Sequence, residues 1–350
     1  QKILDLNLPF DIVWLIKEGV GKDCFPKQIR FTDFNSNKAV YELSTAKVIV
    51  SNIRIGRQAR AGWNKKPKQK YIQLWHGSLG IKRVETASKV FEKDSKVFAS
   101  IYSFIQYDSA RTDYAISNSA FESAVFRSDL LYKCHIFEYG HPRNDVFFYP
   151  PEKQKQIKEK VYQKLNLARD AKILLYAPTH RDYGGYNYGY FDAKKIQKAA
   201  EKKFGGKFIV LIRLHHNLKH RSNNFFDFSD FVIDASNYDD MQELLLSADI
   251  AITDYSSCIF DFMLCKKPAF IIANDIERYN NVRGFYYGFE YTPFLIAKNN
   301  DELVANIKNF DSVKYQKGVD EFLKSKGCFE DGKASERVVD LIKDIIANKA

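Results

Sequence analysis

The chain has 350 residues, a formal net charge of +11 and 45% hydrophobic residues, which is enough apolar material for two cores rather than one. The charge fits an ordinary lysine-rich protein as well as one attracted to an anionic membrane, a phosphate polymer or nucleic acid. The five cysteines stand singly with no C-x-x-C pair, which argues against a disulfide framework and favours a reducing cytoplasm. We expect no signal peptide in this sequence, and it has no apolar run approaching the roughly 20 residues of a membrane span.

Short apolar, β-branched runs alternate with amphipathic stretches along the whole chain. The first half predicts strands at Asp11–Ile16, Lys47–Ser51, Tyr71–Trp75, Asp113–Ser117 and His135–Glu138. The second half predicts strands at Lys172–Pro178, Lys207–Arg213, Phe231–Asp234, Asp249–Thr253 and Pro268–Ala273. Helical patterns lie between them at Asn118–Arg127, Asp192–Lys203 and Tyr238–Ser247. This alternation predicts an α/β fold with two doubly wound, Rossmann-like parallel sheets.

The predicted domain boundary follows Tyr149, where two prolines interrupt the chain. We therefore expect an N-terminal domain over 1–150, a linker helix over 151–166 and a C-terminal domain over 167–350. The last helix is predicted at Ser335–Ile346, with Ser335 as its N-cap. Ligands of open α/β sheets bind beyond the carboxyl ends of the strands, so the polar residues at those ends are the candidates for function.

His76 follows the strand at Tyr71–Trp75 within Gln-Leu-Trp-His-Gly-Ser. A histidine at this place can accept a proton from an attacking hydroxyl. The alternative, commoner for a lone histidine at a strand end, is a ring that only forms a hydrogen bond in a turn. Gly77 and Ser78 follow it.

Two further strand ends carry cationic or hydroxyl groups. Thr179, His180 and Arg181 follow the strand at Lys172–Pro178 and could contact a phosphate or an acceptor, or simply form a tight turn with an Arg181–Asp182 surface pair. Arg213 and His215 alternate in an extended segment and could bind an anionic group. A zinc site at His215, His216 and His220 is disfavoured, because adjacent histidines point to opposite faces and no cysteine or carboxylate completes the ligand set.

The segment Thr253–Ser257 joins a strand to an apolar helix. Asp254, Ser256 and Ser257 there could bind a phosphate at the start of the helix, or the serines could act only as N-caps. Arg283, before Gly284 in a predicted loop, could clamp a phosphate or lie on the surface. Arg143, in Gly140–Asp145, is more consistent with a structural role beside the domain boundary.

Several signatures are missing from the sequence. No D-x-D follows a strand, as metal-bridged nucleotide-sugar transferases require, and the pair Asp239-Asp240 is better explained as a helix cap. The chain has no G-x-G-x-x-G and no Walker loop, which argues against dinucleotide oxidoreductases and P-loop enzymes.

These motifs together resemble the CDP-glycerol glycerophosphotransferase family of teichoic acid and capsule synthesis. Q-L-W-H-G-S, Y-A-P-T-H-R-D, R-L-H and R-G-F-Y occur in that family's order, and the most specific block is Asp239–Phe262. The resemblance runs from about Asp11 to Asp301. It implies a GT-B-type fold, two Rossmann-like domains facing across a cleft, and transfer of a polyol phosphate from a CDP-activated donor to an acceptor hydroxyl, with release of CMP.

The resemblance also implies roles for single residues. The catalytic histidines of the family correspond to His76, here the base, and His215, beside the phosphates or the leaving group. Donor binding corresponds to Arg213, Ser256, Ser257 and Arg283, to which Asp254 and Thr179 are added. The candidate acceptor-side or supporting residues are Gly77, Ser78, His180, Arg181 and Arg143.

The resemblance further implies CDP-glycerol or CDP-ribitol as donor, and an anionic polymer or lipid-linked saccharide as acceptor. It implies peripheral attachment to the inner face of the cytoplasmic membrane and no nucleic-acid partner. It points to no particular cofactor and leaves the need for a metal open, and Mg²⁺ could assist through the phosphates alone. The family often has Trp at the position of His180 and Thr at that of Ser78, and its first strand is expected to be missing before Gln1.

Two alternatives remain open at this stage. One is a GT-B glycosyltransferase or epimerase that uses a nucleotide-sugar, which shares the architecture. The other is a non-catalytic module that binds an anionic polymer through the basic stretches Asn64–Lys70 and Lys194–Lys207.

Overall fold

The chain folds into two compact units, each built on parallel strands. The computed structural model describes residues 1–17, 21–22, 25–55, 63–90, 95–181, 186–215 and 217–348. The first unit comprises Gln1–His76, Lys93–Asp145 and Phe329–Ala350, and the second comprises Gly77–Glu92 and Val146–Cys328. The division at 145/146 lies close to the predicted boundary. The units are not contiguous as the sequence suggested, since two segments group with the unit on the other side of that boundary.

The first unit contains a two-stranded and a four-stranded parallel sheet. Its strands are β1 (Val13–Ile16), β2 (Arg30–Asp33), β3 (Val48–Ser51), β4 (Lys70–Gln73), β5 (Tyr114–Ser117) and β6 (His135–Glu138). Strands β1 and β2 pair with each other, and the larger sheet has the order β3-β4-β5-β6. Strand β2 was not predicted, because Arg-Phe-Thr-Asp has a single strongly apolar residue.

Three of the four helices described in this part of the chain begin at serine caps. The four are α1 (Lys2–Asp5), α2 (Asn37–Thr45), α3 (Lys96–Ser109) and α4 (Ala120–Ser128). In α2, α3 and α4 the hydroxyl of Ser36, Ser95 or Ser119 accepts a hydrogen bond from a backbone N–H of the first turn. Each bond satisfies a donor that the helix itself leaves unpaired.

The second unit is built on one six-stranded parallel sheet. Its strands are β7 (Lys172–Tyr176), β8 (Phe208–Ile212), β9 (Val232–Asp234), β10 (Ile250–Thr253), β11 (Ala269–Ile272) and β12 (Leu295–Ala297). The order is β12-β11-β10-β7-β8-β9, so the direction of winding changes between β10 and β7. The loops after these two strands therefore lie side by side at the switch point, where α/β sheets bind ligands.

Helices surround this sheet, which explains why β8, β10 and β11 are buried along their whole length. The helices are α5 (Pro151–Lys164), α6 (Ala193–Phe204), α7 (Met241–Ser247), α8 (Cys258–Phe262), α9 (Ile276–Arg283), α10 (Asn300–Lys308) and α11 (Ser312–Ser325). Asp240 caps α7 by accepting from the N–H groups of Gln242 and Glu243, which confirms the predicted cap. Within the described residues, no helix is both long and apolar enough to cross a membrane.

The last helix, α12 (Ala334–Ile346), returns to the first unit. Its apolar stripe, which includes Val338 and Ile342, packs in one cluster with Ile72 of β4 and Ile116 of β5. Sequence periodicity predicted the helix correctly but assigned it to the C-terminal domain.

The start of α12 also corrects a predicted cap. Ser335 lies inside the helix and its side chain does not cap it. The carboxylate of Asp145 accepts instead from the backbone N–H groups of Ala334 (3.0 Å) and Ser335 (2.7 Å). Asp145 is 3% exposed, so these bonds are shielded from water.

The segment before α12 is held by a second carboxylate. Glu330 accepts from the side-chain amides of Asn118 (3.1 Å) and Asn144 (2.9 Å), and from the backbone N–H of His141. The backbone N–H of Phe329 donates to the carbonyl of Asn118 at 2.7 Å. The chain is thus fixed to the first unit as soon as it re-enters it.

We expect Asp145→Ala to lower the free energy of unfolding by about 1–2 kcal/mol, the usual loss for a helix cap. Ser335→Ala is the matched control, since its hydroxyl makes only a 3.4 Å contact with the carbonyl of Pro142. Chemical denaturation of both variants measures the difference. Equal losses in the two variants would contradict capping by Asp145.

Candidate functional site

His76 lies three residues after the end of β4 and is the last residue of the segment Gln1–His76 of the first unit. Its side chain is exposed, and its Nδ1 lies 2.8 Å from the backbone carbonyl of Asn52. A carbonyl can only accept, so Nδ1 carries the hydrogen and donates it. In the neutral ring, the lone pair that can take a proton is therefore on Nε2.

The residue before His76 has an unusual backbone. Trp75 has φ of +56°, in the left-handed region, although it is a bulky residue and only 7% exposed. Such a conformation costs about 1–3 kcal/mol and persists only when the surroundings impose it. The Trp75 ring lies 4.3 Å from the His76 ring, centroid to centroid, so the strained residue also supports the histidine.

Gly77 and Ser78, which follow His76, begin a segment that belongs to the second unit. The carbonyl of Ile81 accepts from the N–H of Tyr286 (2.7 Å), and the N–H of Arg83 donates to the carbonyl of Gly284 (2.9 Å). A Cβ added at Gly80 would lie 3.1 Å from Cβ of Ser257. The chain after the histidine is thus packed against two motifs predicted to bind the donor.

Arg213 follows β8 in the second unit and is partly buried. Its Nη1 donates to the carbonyls of Ala235 (3.1 Å) and Tyr238. Its hydrogen-bond partners among the described residues are these two carbonyls, and burial lowers its pKa. A partly buried cation with only carbonyl partners in the protein is well suited to an anionic ligand.

His215 lies two residues after Arg213, and its neutral ring is in the opposite tautomer to that of His76. Its Nδ1 accepts a long hydrogen bond, 3.4 Å, from the backbone N–H of Asn217. The hydrogen of the neutral ring is then on Nε2, which can donate it. The ring of His180 lies 5.3 Å away, centroid to centroid, so the structure brings these two predicted residues together.

The histidines do not form a metal cluster in the part of the chain that is described. No group of three or more His, Cys, Asp or Glu side chains that could hold a metal occurs there. His216 lies outside the described residues, and His220 is exposed.

Arg181 holds three strand-end loops of the second unit together. Its side chain is 1% exposed and donates to Asp254 Oδ2 (2.7 Å) and to Asp275 Oδ2 (2.8 Å) and Oδ1 (3.0 Å). Burial opposes its charge, but Asp254 and Asp275 outweigh burial and raise the pKa of Arg181. Arg181 thus ties together the loops after β7, β10 and β11, and Asp182, its predicted surface partner, lies outside the described residues.

Asp254 is fully buried, and its carboxylate accepts hydrogen bonds from backbone N–H groups. Its Oδ1 accepts from the N–H of Thr179 (2.8 Å) and from its own neighbour Tyr255 (2.6 Å), and its Oδ2 pairs with Arg181. These bonds order the loop that carries Thr179 and His180. Both oxygens of this carboxylate are therefore engaged within the protein.

Sequence reasoning missed Asp275 and the aromatic residues around Arg181. The guanidinium carbon lies 4.0 Å from the ring centroid of Tyr186, 4.8 Å from that of Tyr255 and 5.1 Å from that of Tyr279. Asp275 comes three residues after β11, so the rule that located the other candidates would also have located it. Tyr186 lies in the predicted loop at Gly184–Tyr190, of which 184–185 are outside the described residues.

The remaining candidates occupy three places. Ser256 and Ser257 precede the five-residue helix α8, where Ser257 makes no side-chain cap, and Ser256 Oγ accepts from the N–H of Cys258 at 3.5 Å. Arg283 is the last residue of α9 rather than part of a loop, and its Nε donates to the carbonyl of Arg83 at 3.3 Å. Arg143 is partly buried in a 3-10 helix at Pro142–Phe148.

Comparisons with known proteins agree with this arrangement. A family described as CDP-glycerol:poly(glycerophosphate) glycerophosphotransferase matches residues 1–344. A teichoic acid poly(glycerol phosphate) polymerase of Staphylococcus epidermidis is 34% identical over 341 residues, covering 95% of this chain and 46% of that protein. One of Bacillus spizizenii is 30% identical over 337 residues, covering 95% and 83%.

A solved structure also matches. The wall teichoic acid polymerase TagF, in a variant soaked with CDPG, is similar with a TM-score of 0.84 and 32% identity, covering 100% of this chain and 85% of that chain. This match, together with the parallel sheets, confirms the predicted α/β fold of the GT-B type. The chain spans less than half the length of the S. epidermidis protein.

We expect Arg181→Met to destabilise the protein by about 3–5 kcal/mol, because it leaves two buried carboxylates without their cation. Arg30→Met is the control: Arg30 also bonds two carboxylates, Asp11 and Glu42, but its side chain is 47% exposed, so little change is expected. Thermal unfolding measures both. Similar shifts in Tm for the two variants would show that the buried pairs do not support the loops.

Proposed function

Because the chain belongs to the CDP-glycerol:poly(glycerophosphate) glycerophosphotransferase family, we propose that it transfers glycerol phosphate, or a related polyol phosphate, from a CDP-activated donor. The acceptor is a hydroxyl of a teichoic-acid or capsule-type chain, either an anionic polymer or a lipid-linked saccharide, and CMP is released. The relatives described as teichoic acid poly(glycerol phosphate) polymerases support this assignment.

The observation that carries the proposal is Arg213, a partly buried guanidinium whose described partners are backbone carbonyls, two residues before His215. The diphosphate of a CDP-linked donor would supply the missing anion. Ser256, Ser257 and Thr179 would add hydroxyl donors, and Arg283 a further cation. These groups would stabilise the negative charge that grows on the CMP oxygen as it leaves.

His76 is the general base of this proposal. Its Nε2 accepts the proton of the acceptor hydroxyl while that oxygen forms a bond to the β-phosphorus of the donor. The bond from the β-phosphorus to the bridging oxygen breaks, and its electron pair leaves with CMP. Because Asn52 holds the Nδ1 hydrogen, the nitrogen that receives the proton is defined before the substrate binds.

His215 has the complementary role. Since its Nδ1 accepts from Asn217, its Nε2–H can donate to a phosphoryl oxygen or to the departing CMP. His180 lies beside His215 and limits the space around its ring. Any Mg²⁺ in the reaction would be brought by the phosphates of the donor, and adding EDTA to the assay tests this.

The decisive experiment measures CMP release from CDP-glycerol and CDP-ribitol with a teichoic-acid acceptor, with UDP-sugars as controls. We expect release from a CDP-polyol and none from UDP-sugars. Mass spectrometry of the product would distinguish single addition from polymerisation. Turnover of a UDP-sugar without turnover of a CDP-polyol would overturn the assignment in favour of a nucleotide-sugar enzyme.

His76→Ala and His215→Ala should each lower kcat by about 10²–10⁴, the usual contribution of acid–base catalysis. Arg213→Met should both lower kcat and raise KM for the donor, because Arg213 is proposed to bind the diphosphate and to stabilise the charge on the leaving CMP. The exposed His135 and His220 are matched controls in the two units, and their alanine variants should keep full activity. A His76→Ala enzyme near the wild-type rate would eliminate His76 as the base.

Peripheral attachment to the inner face of the cytoplasmic membrane is a further part of the proposal. The net charge of +11 supports it, because anionic lipids attract cationic proteins. We expect cosedimentation with vesicles that contain anionic lipid, decreasing as salt screens the charges. Neutral vesicles are the control, and equal binding to both would argue against electrostatic attachment.

A further inference from the structure

Gln73 is the last residue of β4, three positions before His76, and its side chain is completely buried. It pairs in register with Ser51, the last residue of β3. Two loops leave the sheet at this point. One contains Asn52, whose carbonyl accepts from the His76 ring, and the other leads through Trp75 to His76 itself.

The oxygen of the Gln73 amide holds the second loop. Gln73 Oε1 accepts from the backbone N–H of Trp75 at 2.9 Å. This is the residue with φ of +56°, so the bond stabilises the left-handed turn from which His76 projects. A buried N–H without this acceptor would be left unsatisfied, which favours another conformation of the turn.

The nitrogen of the same amide holds the first loop. Gln73 Nε2 donates to the carbonyl of Ile53 (3.2 Å) and to the hydroxyl of Tyr71 (3.0 Å). The Tyr71 hydroxyl also donates to the Ile53 carbonyl (3.3 Å), as does Ser51 Oγ (2.7 Å). Burial raises the pKa of Tyr71 well above its usual value, so its phenol keeps the hydrogen that it donates. The position of Ile53 in turn fixes the adjacent carbonyl of Asn52.

We propose that Gln73 is a positioning residue for His76: its one buried amide sets both the turn that carries the ring and the carbonyl that fixes the ring's tautomer. This inference rests on the proposed role of His76 as base. Gln73 touches no reacting atom. It keeps Nε2 as the proton acceptor and keeps the ring in one orientation, and both are conditions for proton transfer.

The test compares Gln73→Met, which keeps the length of the side chain, with the wild type in the CMP-release assay. We expect kcat to fall by roughly 10²-fold, as for a displaced catalytic group, and KM for CDP-glycerol to stay unchanged. In a His76→Ala background, adding Gln73→Met should leave the residual rate unchanged, because Gln73 acts only through the ring. Losses that multiply in the double variant would overturn the proposal.

Gln69→Met is the matched control. Gln69 is also buried, and its amide also bonds backbone groups, namely the carbonyls of Leu43 and Ala46 and the N–H of Lys66. It lies before β4, at the opposite end of the strand from His76. We expect a loss of thermal stability comparable to that of Gln73→Met with no change in kcat. An equal fall of kcat in both variants would reduce Gln73 to a general structural role.

Two further measurements keep the proposal testable if Gln73→Met folds poorly. Gln73→Glu, assayed at pH 6 where a buried carboxyl group stays protonated, can still accept from Trp75 and donate to Ile53, and should retain more activity than Gln73→Met. NMR of ¹⁵N-histidine-labelled protein should show His76 as a single tautomer protonated at Nδ1, and a mixture in Gln73→Met.

The outcomes distinguish the hypothesis that His76 is the base from the hypothesis that Gln73 positions its ring. A His76→Ala enzyme of normal rate would refute the proposed base, and the NMR signals would then still decide whether Gln73 controls the ring. An inactive His76→Ala enzyme together with normal kcat and an unchanged tautomer in Gln73→Met would refute only the role of Gln73.

Discussion

The buried guanidinium of Arg181 is the interaction on which the second unit's candidate site depends. Two strand-end loops at the switch point and the loop after β11 meet at this one group, through Asp254, Asp275 and the carbonyl of Thr179. Taking three ionisable groups out of water is costly unless every hydrogen bond is made, so the arrangement tolerates little displacement. The ordered position of His180, and with it the space beside His215, follows from this constraint.

The first unit also joins its strand-end loops through one buried side chain, but that side chain is uncharged. There a neutral amide, that of Gln73, joins the loops after two adjacent strands, where the second unit uses an ion pair. The difference suits the chemistry proposed for each place. Gln73 fixes the loops around His76 without placing a charge beside the ring. In the second unit the loops are fixed by ion pairs, which are strong because they are buried.

Local patterns predicted most of the fold. Ten strands were correctly located because each has a run of apolar residues, whereas β2, with one strongly apolar residue, and the three-residue β12 were missed. The cap of α7 was predicted because Asp240 is adjacent to its helix. The cap of α12 was wrong because the acceptor, Asp145, is 189 residues away in sequence from Ala334. Likewise, the strand-end rule could have located Asp275, but nothing in the sequence shows that it pairs with Arg181, 94 residues away.

The same distinction between local and distant determinants applies to the two histidines. Their positions at strand ends are visible in the sequence, but their protonation is set by backbone groups that only the fold brings near. Nδ1 of His76 faces a carbonyl and Nδ1 of His215 faces an N–H. The two side chains therefore present the same nitrogen, Nε2, in opposite protonation states: as a proton acceptor in His76 and as a proton donor in His215. The proposed reaction, in which His76 takes a proton from the acceptor and His215 stabilises the departing CMP, would use this asymmetry, which main-chain groups set in both places.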